Sequence, residues 1–123
     1  MKLSRSSLAL ALLSLALPTT GVRAGQEQVL GKWECIAQSP EGELASVWSI
    51  QAKADALVVE VEIEMIKRPA QEVELKGPTL TMKVPYQSVA FDVSVTFDGD
   101  TFAGTWTGDG RQGQLKGKRV PAS

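Results

Sequence analysis

Histidine is absent from the 123-residue chain, and cysteine occurs only once. The lack of histidine excludes Ser-His and Cys-His catalytic pairs as well as histidine-ligated metal sites. The chain also lacks a Gly-x-Ser-x-Gly elbow, a phosphate-binding loop and a dinucleotide-binding fingerprint. Two acidic turns, Asp98-Gly99-Asp100 and Gly108-Asp109-Gly110, offer too few oxygen atoms for calcium. We therefore expect a protein without enzymatic activity, bound metal or cofactor.

An excess of positive charge is also missing. The chain has 13 Lys and Arg residues and 14 Asp and Glu residues, which gives a formal net charge of -1. A protein that binds nucleic acid needs a basic surface to neutralise phosphates. We expect no nucleic-acid partner.

No apolar run approaches the roughly 20 residues that a membrane-spanning helix needs. The longest run, Leu8 to Leu17, follows two basic residues and precedes Val22-Arg23-Ala24. A basic start, a short apolar stretch and small residues before a cleavage site are typical of a signal peptide. The pattern predicts a signal peptide over residues 1–24 and an exported protein, periplasmic or extracellular, that does not span the membrane after cleavage. Residues 25–123 would then form a single domain.

Cleavage would change the composition of the chain. It removes three basic residues and no acidic ones, which leaves 10 basic and 14 acidic residues and a net charge of -4. It also removes seven of the thirteen Leu, so that eleven Val, four Ile and six Thr stand against six Leu. β-Branched residues are enriched in strands, so the composition favours β-structure.

Apolar residues recur at every second position along most of the domain, as in half-buried strands. The clearest example places Glu60, Glu62 and Glu64 on one face and, on the other, Leu57, Val59, Val61, Ile63 and Met65. Similar alternation marks seven further segments around residues 29–37, 44–50, 73–75, 80–84, 89–97, 102–106 and 113–119. Short turns separate them, including one predicted at Lys67-Arg68-Pro69. We expect an all-β, antiparallel up-and-down meander of about eight strands that closes into a barrel and so removes its edges, with a two-layer β-sandwich as the alternative.

Gly31-Lys32-Trp33 on the first strand, together with Arg119 on the last, resembles the calycin signature of the lipocalins. The resemblance implies a lipocalin-like barrel in which Trp33 packs beneath Arg119 at the closed end, while the open end takes an apolar ligand. Residues 29–120 are also similar to small secreted bacterial β-domains found beside serine hydrolases. Their Gly-x-Trp, Gly-Asp-x-Phe-x-Gly-Thr-Trp and Leu-x-x-Lys-Arg elements match residues 31–33, 99–106 and 115–119.

The interior of the predicted barrel allows two interpretations. An eight-stranded barrel is just wide enough to be filled by its own side chains or to hold one small ligand, and the many inward aromatic residues favour a filled interior. Four small inward residues, Cys35, Ser46, Gly104 and Gly113, could instead leave a gap, and methionine is an adaptable lining for apolar ligands. Candidate ligand-binding residues are Trp48, Met65, Met82, Phe91, Phe102 and Trp106, whereas Gly31, Trp33 and Arg119 are candidates for barrel closure.

Two further features bear on function. Cys35 shares a face with Trp33, which predicts a buried and unreactive thiol rather than an intermolecular disulfide or a reactive site. Glu60, Glu62 and Glu64, with Glu72 and Glu74 on the expected neighbouring strand, predict an acidic outer surface. We therefore expect an exported protein that binds a small apolar ligand. The alternative is a protein-interaction or inhibitor module with a filled core that uses this acidic face or the loops at the rim.

Overall fold

The fold is a single antiparallel sheet that curls into a barrel. The computed structural model describes residues 26–121, and over that range it has nine strands and no helix. The strands are β1 Gly31–Ser39, β2 Gly42–Lys53, β3 Ala56–Ile63, β4 Ile66–Pro69, β5 Gln71–Lys76, β6 Thr79–Tyr86, β7 Val89–Asp98, β8 Thr101–Gly108 and β9 Arg111–Arg119. Their hydrogen-bonded order is β4-β3-β2-β1-β9-β8-β7-β6-β5. The predicted all-β barrel is confirmed, and the two-layer sandwich is wrong.

β4 and β5 are the two halves of one bent segment that closes the barrel. β4 pairs with β3, β5 pairs with β6, and Ala70 between them donates its backbone N–H to the Val59 carbonyl oxygen at 2.8 Å. The register shifts between Gln71 and Glu74, which is a β-bulge, a common means of bending a strand. Counted as one strand, residues 66–76 bring the total between residues 26 and 121 to the predicted eight. Because β4 and β6 are not paired in this part of the chain, the barrel is nearly, not fully, closed.

The chain turns between β3 and β4 at Glu64-Met65, not at the predicted Lys67-Arg68-Pro69. Both turn residues have positive φ, 54° and 67°, as a two-residue type I′ hairpin requires. Lys67 and Arg68 lie within β4, where they pair with Glu62 and Val61. Met65 therefore does not face the interior as predicted, because it sits in the turn with 89% of its surface exposed.

Glycines on β8 and β9 let large aromatic rings lie flat against the barrel wall. Gly113 is opposite Trp106 and Gly117 is opposite Phe102 in the β8–β9 register, and a Cβ atom at either glycine would overlap the facing ring. A Cβ atom at Gly104 would overlap the backbone of β7. The expectation that Gly104 and Gly113 leave an internal gap is therefore wrong, since neighbouring atoms already occupy the space of the missing side chains.

One end of the barrel is closed by the chain that precedes β1. Trp33, which is 0% exposed, donates its indole N–H to the Val29 carbonyl at 3.0 Å. The Arg119 guanidinium lies 4.3 Å from the Trp33 ring and donates to the carbonyls of Leu30 and Gln28, both at 2.6 Å. A side chain at Gly31 would approach the Arg119 guanidinium to 3.1 Å, and its φ of +122° disfavours any other residue. Residues 26–30 are thereby held as a plug against the base of the barrel.

Candidate ligand-binding site

A cavity of about 330 Å³ opens at the other end of the barrel. This end carries the turns between β1 and β2, β3 and β4, β6 and β7, and β8 and β9, and no segment of residues 26–121 covers it. The volume lies at the lower end of the range for small-molecule sites, roughly 300 to 1,000 Å³. Most of the wall is apolar, with contributions from Ala37, Leu44, Trp48, Val61, Ile63, Val84, Phe91, Val93, Trp106 and Leu115.

The aromatic residues of the cavity wall are held in place by their neighbours. The Trp106 indole N–H donates to the Gln38 carbonyl at 3.1 Å, and the Phe91 ring meets the Trp106 ring edge to face with centroids 5.6 Å apart. Trp48 stacks on Phe102 with centroids 4.6 Å apart, and its indole N–H donates to the Ser46 hydroxyl at 3.1 Å. Because both indole N–H groups are satisfied, the wall presents apolar ring surface without an orphaned donor on either tryptophan.

Cys35 lies beneath the cavity and does not have the properties of a nucleophile. The residue is 1% exposed. Burial raises the pKa of the Cys35 thiol to about 12, against the smaller opposing effect of a hydrogen bond with Ser46. Since the thiolate is the reactive form of cysteine, the group is protonated and inert near neutral pH. The thiol is free, as the sequence predicts.

The rim of the cavity is polar and carries charge. Arg111 and Glu41 approach to 3.4 Å, and both side chains are substantially exposed. Across the mouth, the Tyr86 hydroxyl donates to the Glu64 carboxylate at 3.2 Å. Burial, followed by the charge and hydrogen bond of Glu64, raises the pKa of Tyr86. An apolar interior with a polar rim suits a ligand that enters from water.

The predicted ligand-binding residues lie in three different places. Trp48, Phe91 and Trp106 line the cavity. Phe102 and Met82 are buried, at 3% and 3% exposure, but lie off the cavity wall. Met65 is on the outer side of the turn after β3, which the alternation of Ile63 and Met65 did not reveal.

Sequence reasoning missed Tyr86 as a cavity residue. The fifth predicted strand ended before Pro85, whereas β6 continues through Tyr86. The alternation itself was the available signal, because Leu80, Met82 and Val84 place the next inward position at Tyr86. Pro85 does not break the strand because it lies at an unpaired edge, where a missing backbone N–H is tolerated.

The acidic outer surface is divided rather than continuous. Glu62 pairs in register with Lys67 of β4, so β4 and not β5 is the neighbour of this part of β3. Glu74 on β5 lies 3.9 Å from Lys76, with both side chains well exposed. The predicted juxtaposition of Glu60 and Glu62 with Glu72 and Glu74 on adjacent strands is therefore wrong, because the strand assignment omitted β4.

The described chain offers neither a metal-binding cluster nor a membrane-spanning helix. In residues 26–121, no cluster of three or more His, Cys, Asp or Glu residues could hold a metal ion. Across the same residues, no helix is long and apolar enough to cross a membrane. The predicted signal peptide, residues 1–24, lies outside the described residues.

Comparison with known proteins identifies the fold through designed barrels. No protein-family model and no curated protein matches the sequence. A redesigned β-barrel superposes with a TM-score of 0.62 at 13% identity, covering 80% of this chain and 96% of the other. The redesigned barrel mFAP1, solved bound to DFHBI, gives a TM-score of 0.58 at 16% identity and covers 80% and 100% of the two chains. A de novo designed fluorescence-activating β-barrel gives 0.57 at 14%, with the same coverage. These similarities show that the chain has the fold of a small β-barrel.

Proposed function

We propose that this protein is an exported, non-enzymatic barrel that binds one small apolar molecule in the cavity at its open end. The observation that carries the proposal is the cavity itself, about 330 Å³ in volume and lined mainly by aliphatic and aromatic side chains. Burial of apolar surface would drive binding, at about 25 cal/mol for each Å² removed from water. The plugged base and the uncovered mouth of the barrel leave one route for a ligand.

Two other observations support the proposal. The barrel mFAP1, which has the same fold, was solved bound to DFHBI, so a barrel of this size accommodates a small ligand. The one thiol of the described chain is buried with its pKa raised to about 12, which supports binding over nucleophilic catalysis. Export and the similarity to small secreted bacterial β-domains rest on the sequence patterns described above.

The proposal is tested by filling the cavity from its wall. Ala37 lines the cavity, so the substitution Ala37→Leu adds three carbon atoms to the space that a ligand would occupy. Ala45 is exposed on the outer face of the adjacent strand β2, so Ala45→Leu makes the same chemical change outside the barrel. N-Phenyl-1-naphthylamine is a suitable probe because it is apolar, uncharged and fluorescent in apolar surroundings.

The wild-type protein is expected to bind the probe saturably at micromolar concentration, with quenching of tryptophan fluorescence from Trp48 and Trp106. Ala37→Leu should weaken binding at least about tenfold, the equivalent of 1.4 kcal/mol, while Ala45→Leu binds as the wild type does. Thermal unfolding of both variants controls for folding. Absence of saturable binding to the wild type, or equal affinities in the two variants, would contradict the proposal.

A further inference from the structure

Arg68 is a cation on the inner face of the barrel wall near the mouth. It pairs in register with Val61, and directly opposed residues of antiparallel strands point to the same face of the sheet. Val61 is 2% exposed and lines the cavity. The side chain of Arg68 therefore starts from the same inner surface as an apolar wall residue.

The Arg68 guanidinium has no acidic partner. Its Nη1 atom is buried and forms no hydrogen bond, and no carboxylate of residues 26–121 lies within ion-pairing distance of it. Its contact is with the Tyr86 ring, whose centroid is 5.2 Å from the guanidinium carbon. Arg119, at the opposite end, donates to two backbone carbonyls and to the Asp100 carboxylate. Buried polar groups are normally satisfied in proteins, so an orphaned arginine nitrogen needs an explanation.

Tyr86 connects Arg68 to the cavity. Its side chain lines the cavity, stacks near the guanidinium and donates its hydroxyl to Glu64 at 3.2 Å. β4 and β6, which carry Arg68 and Tyr86, are the strands of the barrel wall that do not pair with each other. The two side chains thus occupy a seam in the wall where the backbone supplies no hydrogen bonds.

Prolines on both strands explain why the seam stays unpaired. Pro69 on β4 precedes Ala70, which forms a backbone hydrogen bond with β3. Pro85 on β6 precedes Tyr86, which pairs with β7. In an antiparallel sheet the backbone groups of successive residues alternate in direction, so the nitrogen atoms of both prolines face the seam. Proline has no N–H to donate, and the two strands therefore cannot form a regular ladder here.

From these observations we propose that the ligand is an amphiphile with a single anionic group, and that Arg68 binds that group while the apolar body fills the cavity. The inference rests on the proposed function. A guanidinium presents a planar fork of donors that matches a carboxylate in two parallel hydrogen bonds. The Tyr86 hydroxyl already donates its one hydrogen to the Glu64 carboxylate, so the anion is assigned to the Arg68 guanidinium alone. An anion at this seam would satisfy the buried nitrogen that the protein itself leaves without a partner.

The test compares ligands that share one chain and differ in head group. Decanoate, 1-decanol and decyltrimethylammonium are titrated into the full chain, and binding is followed by displacement of N-phenyl-1-naphthylamine. The wild-type protein should bind decanoate at least about tenfold more tightly than 1-decanol, and decyltrimethylammonium least tightly of the three. This comparison requires no substitution and therefore does not depend on any variant folding.

Arg68→Met, Arg68→Lys and Arg111→Met identify the residue responsible. Arg68→Met should abolish the preference for decanoate while the affinity for 1-decanol stays within about twofold, and Arg68→Lys should retain part of the preference because it keeps the charge but loses the fork. Arg111→Met removes the rim arginine, which is already paired with Glu41, and should leave the preference intact.

The outcomes separate this inference from the proposed function. Equal affinity of the wild type for decanoate and 1-decanol, or a preference that survives in Arg68→Met, would overturn the role of Arg68 and leave apolar binding standing. A preference lost in Arg111→Met and kept in Arg68→Met would move the anion site to the rim and overturn it as well. If the uncharged probe does not bind, the proposed function is wrong and the inference falls with it.

Discussion

The two ends of the barrel use the same kinds of residue to opposite effect. At the closed end, Trp33 packs against Phe97 and Phe102 with ring centroids 4.8 and 5.6 Å apart, and the plug of residues 26–30 covers them. At the open end, Phe91 and Trp106 also meet at 5.6 Å, yet a cavity of about 330 Å³ lies beside them. Aromatic content alone therefore does not decide whether a small barrel is filled. The difference is the additional chain segment that covers one end.

The two inward-facing arginines show the same contrast. Arg119 at the closed end forms hydrogen bonds that hold the plug to the last strand. The Nη1 atom of Arg68, near the open end, has no hydrogen-bond partner among residues 26–121, and the guanidinium lies over the Tyr86 ring instead. At one end an arginine fastens the plug to the last strand, and at the other a buried arginine nitrogen has no partner within residues 26–121.

The largest expected difference between the ends is in the cost of removing a tryptophan. Trp33→Ala should lower the free energy of unfolding by about 5 kcal/mol and Trp106→Ala by about 3 kcal/mol, the upper and lower ends of the range for buried aromatic residues. Trp33 is 0% exposed and surrounded on all sides, whereas Trp106 is 9% exposed and already borders empty space. Equilibrium urea unfolding measures both. Equal losses would mean that the open end is as tightly packed as the closed one.

The next largest difference is expected in the free energy of unfolding lost when an arginine is removed from each end. Arg119→Met should cost about 2 kcal/mol, because it removes charge-assisted hydrogen bonds to two carbonyls and the contact with the Trp33 ring. Arg111→Met should cost less than about 0.5 kcal/mol, since the Arg111–Glu41 pair is exposed to solvent. Urea unfolding midpoints of the two variants give the comparison. Similar midpoints would show that Arg119 does not hold the plug in place.

The sequence predicted the barrel and the pairing of Trp33 with Arg119, but neither the plug of residues 26–30 nor the cavity. Regular alternation and short turns predicted the barrel, and Gly31, Trp33 and Arg119 predicted its closure by resemblance. The cavity depends on how side chains from different strands pack together, which a pattern of inward positions does not specify. In the sequence, Gly104 and Gly113 suggest space inside the barrel. In the structure, a neighbouring backbone and the Trp106 ring occupy that space.

The seam was missed for a related reason. Lys67-Arg68-Pro69 has the composition of a turn, and Glu64-Met65 lacks the glycine or asparagine that usually marks a type I′ hairpin. The alternation of Ile63 and Met65 therefore continued through the true turn, and β4 was lost. Only the register with β3 places Arg68 on the inner face. The pairing of β3 with β4, which local sequence does not specify, determines that Met65 lies in the turn and that Arg68 lies on the inner face.

The smallest predicted effect concerns Cys35, which lies on β1 between Trp33 at the closed end and Ala37 on the cavity wall. Burial raises the pKa of its thiol from about 9 to about 12. Below pH 9 the thiol is protonated in both the folded and the unfolded chain, so the folded state keeps its full advantage. Between pH 9 and about 12 the unfolded chain loses the proton first, so the free energy of unfolding falls as the pH rises, by up to about 1.4 kcal/mol per unit.

Urea unfolding of the wild type and Cys35→Ala at pH 7, 9 and 10 isolates this contribution. Tyr86, whose pKa is also raised, adds a slope of the same sign to both proteins, so the difference between them belongs to the thiol. We expect the destabilisation caused by Cys35→Ala to shrink by about 1 kcal/mol between pH 9 and pH 10. A constant difference across these pH values would mean that water from the cavity reaches the thiol, and the boundary between the dry and the open half would then lie below Cys35, nearer to Trp33.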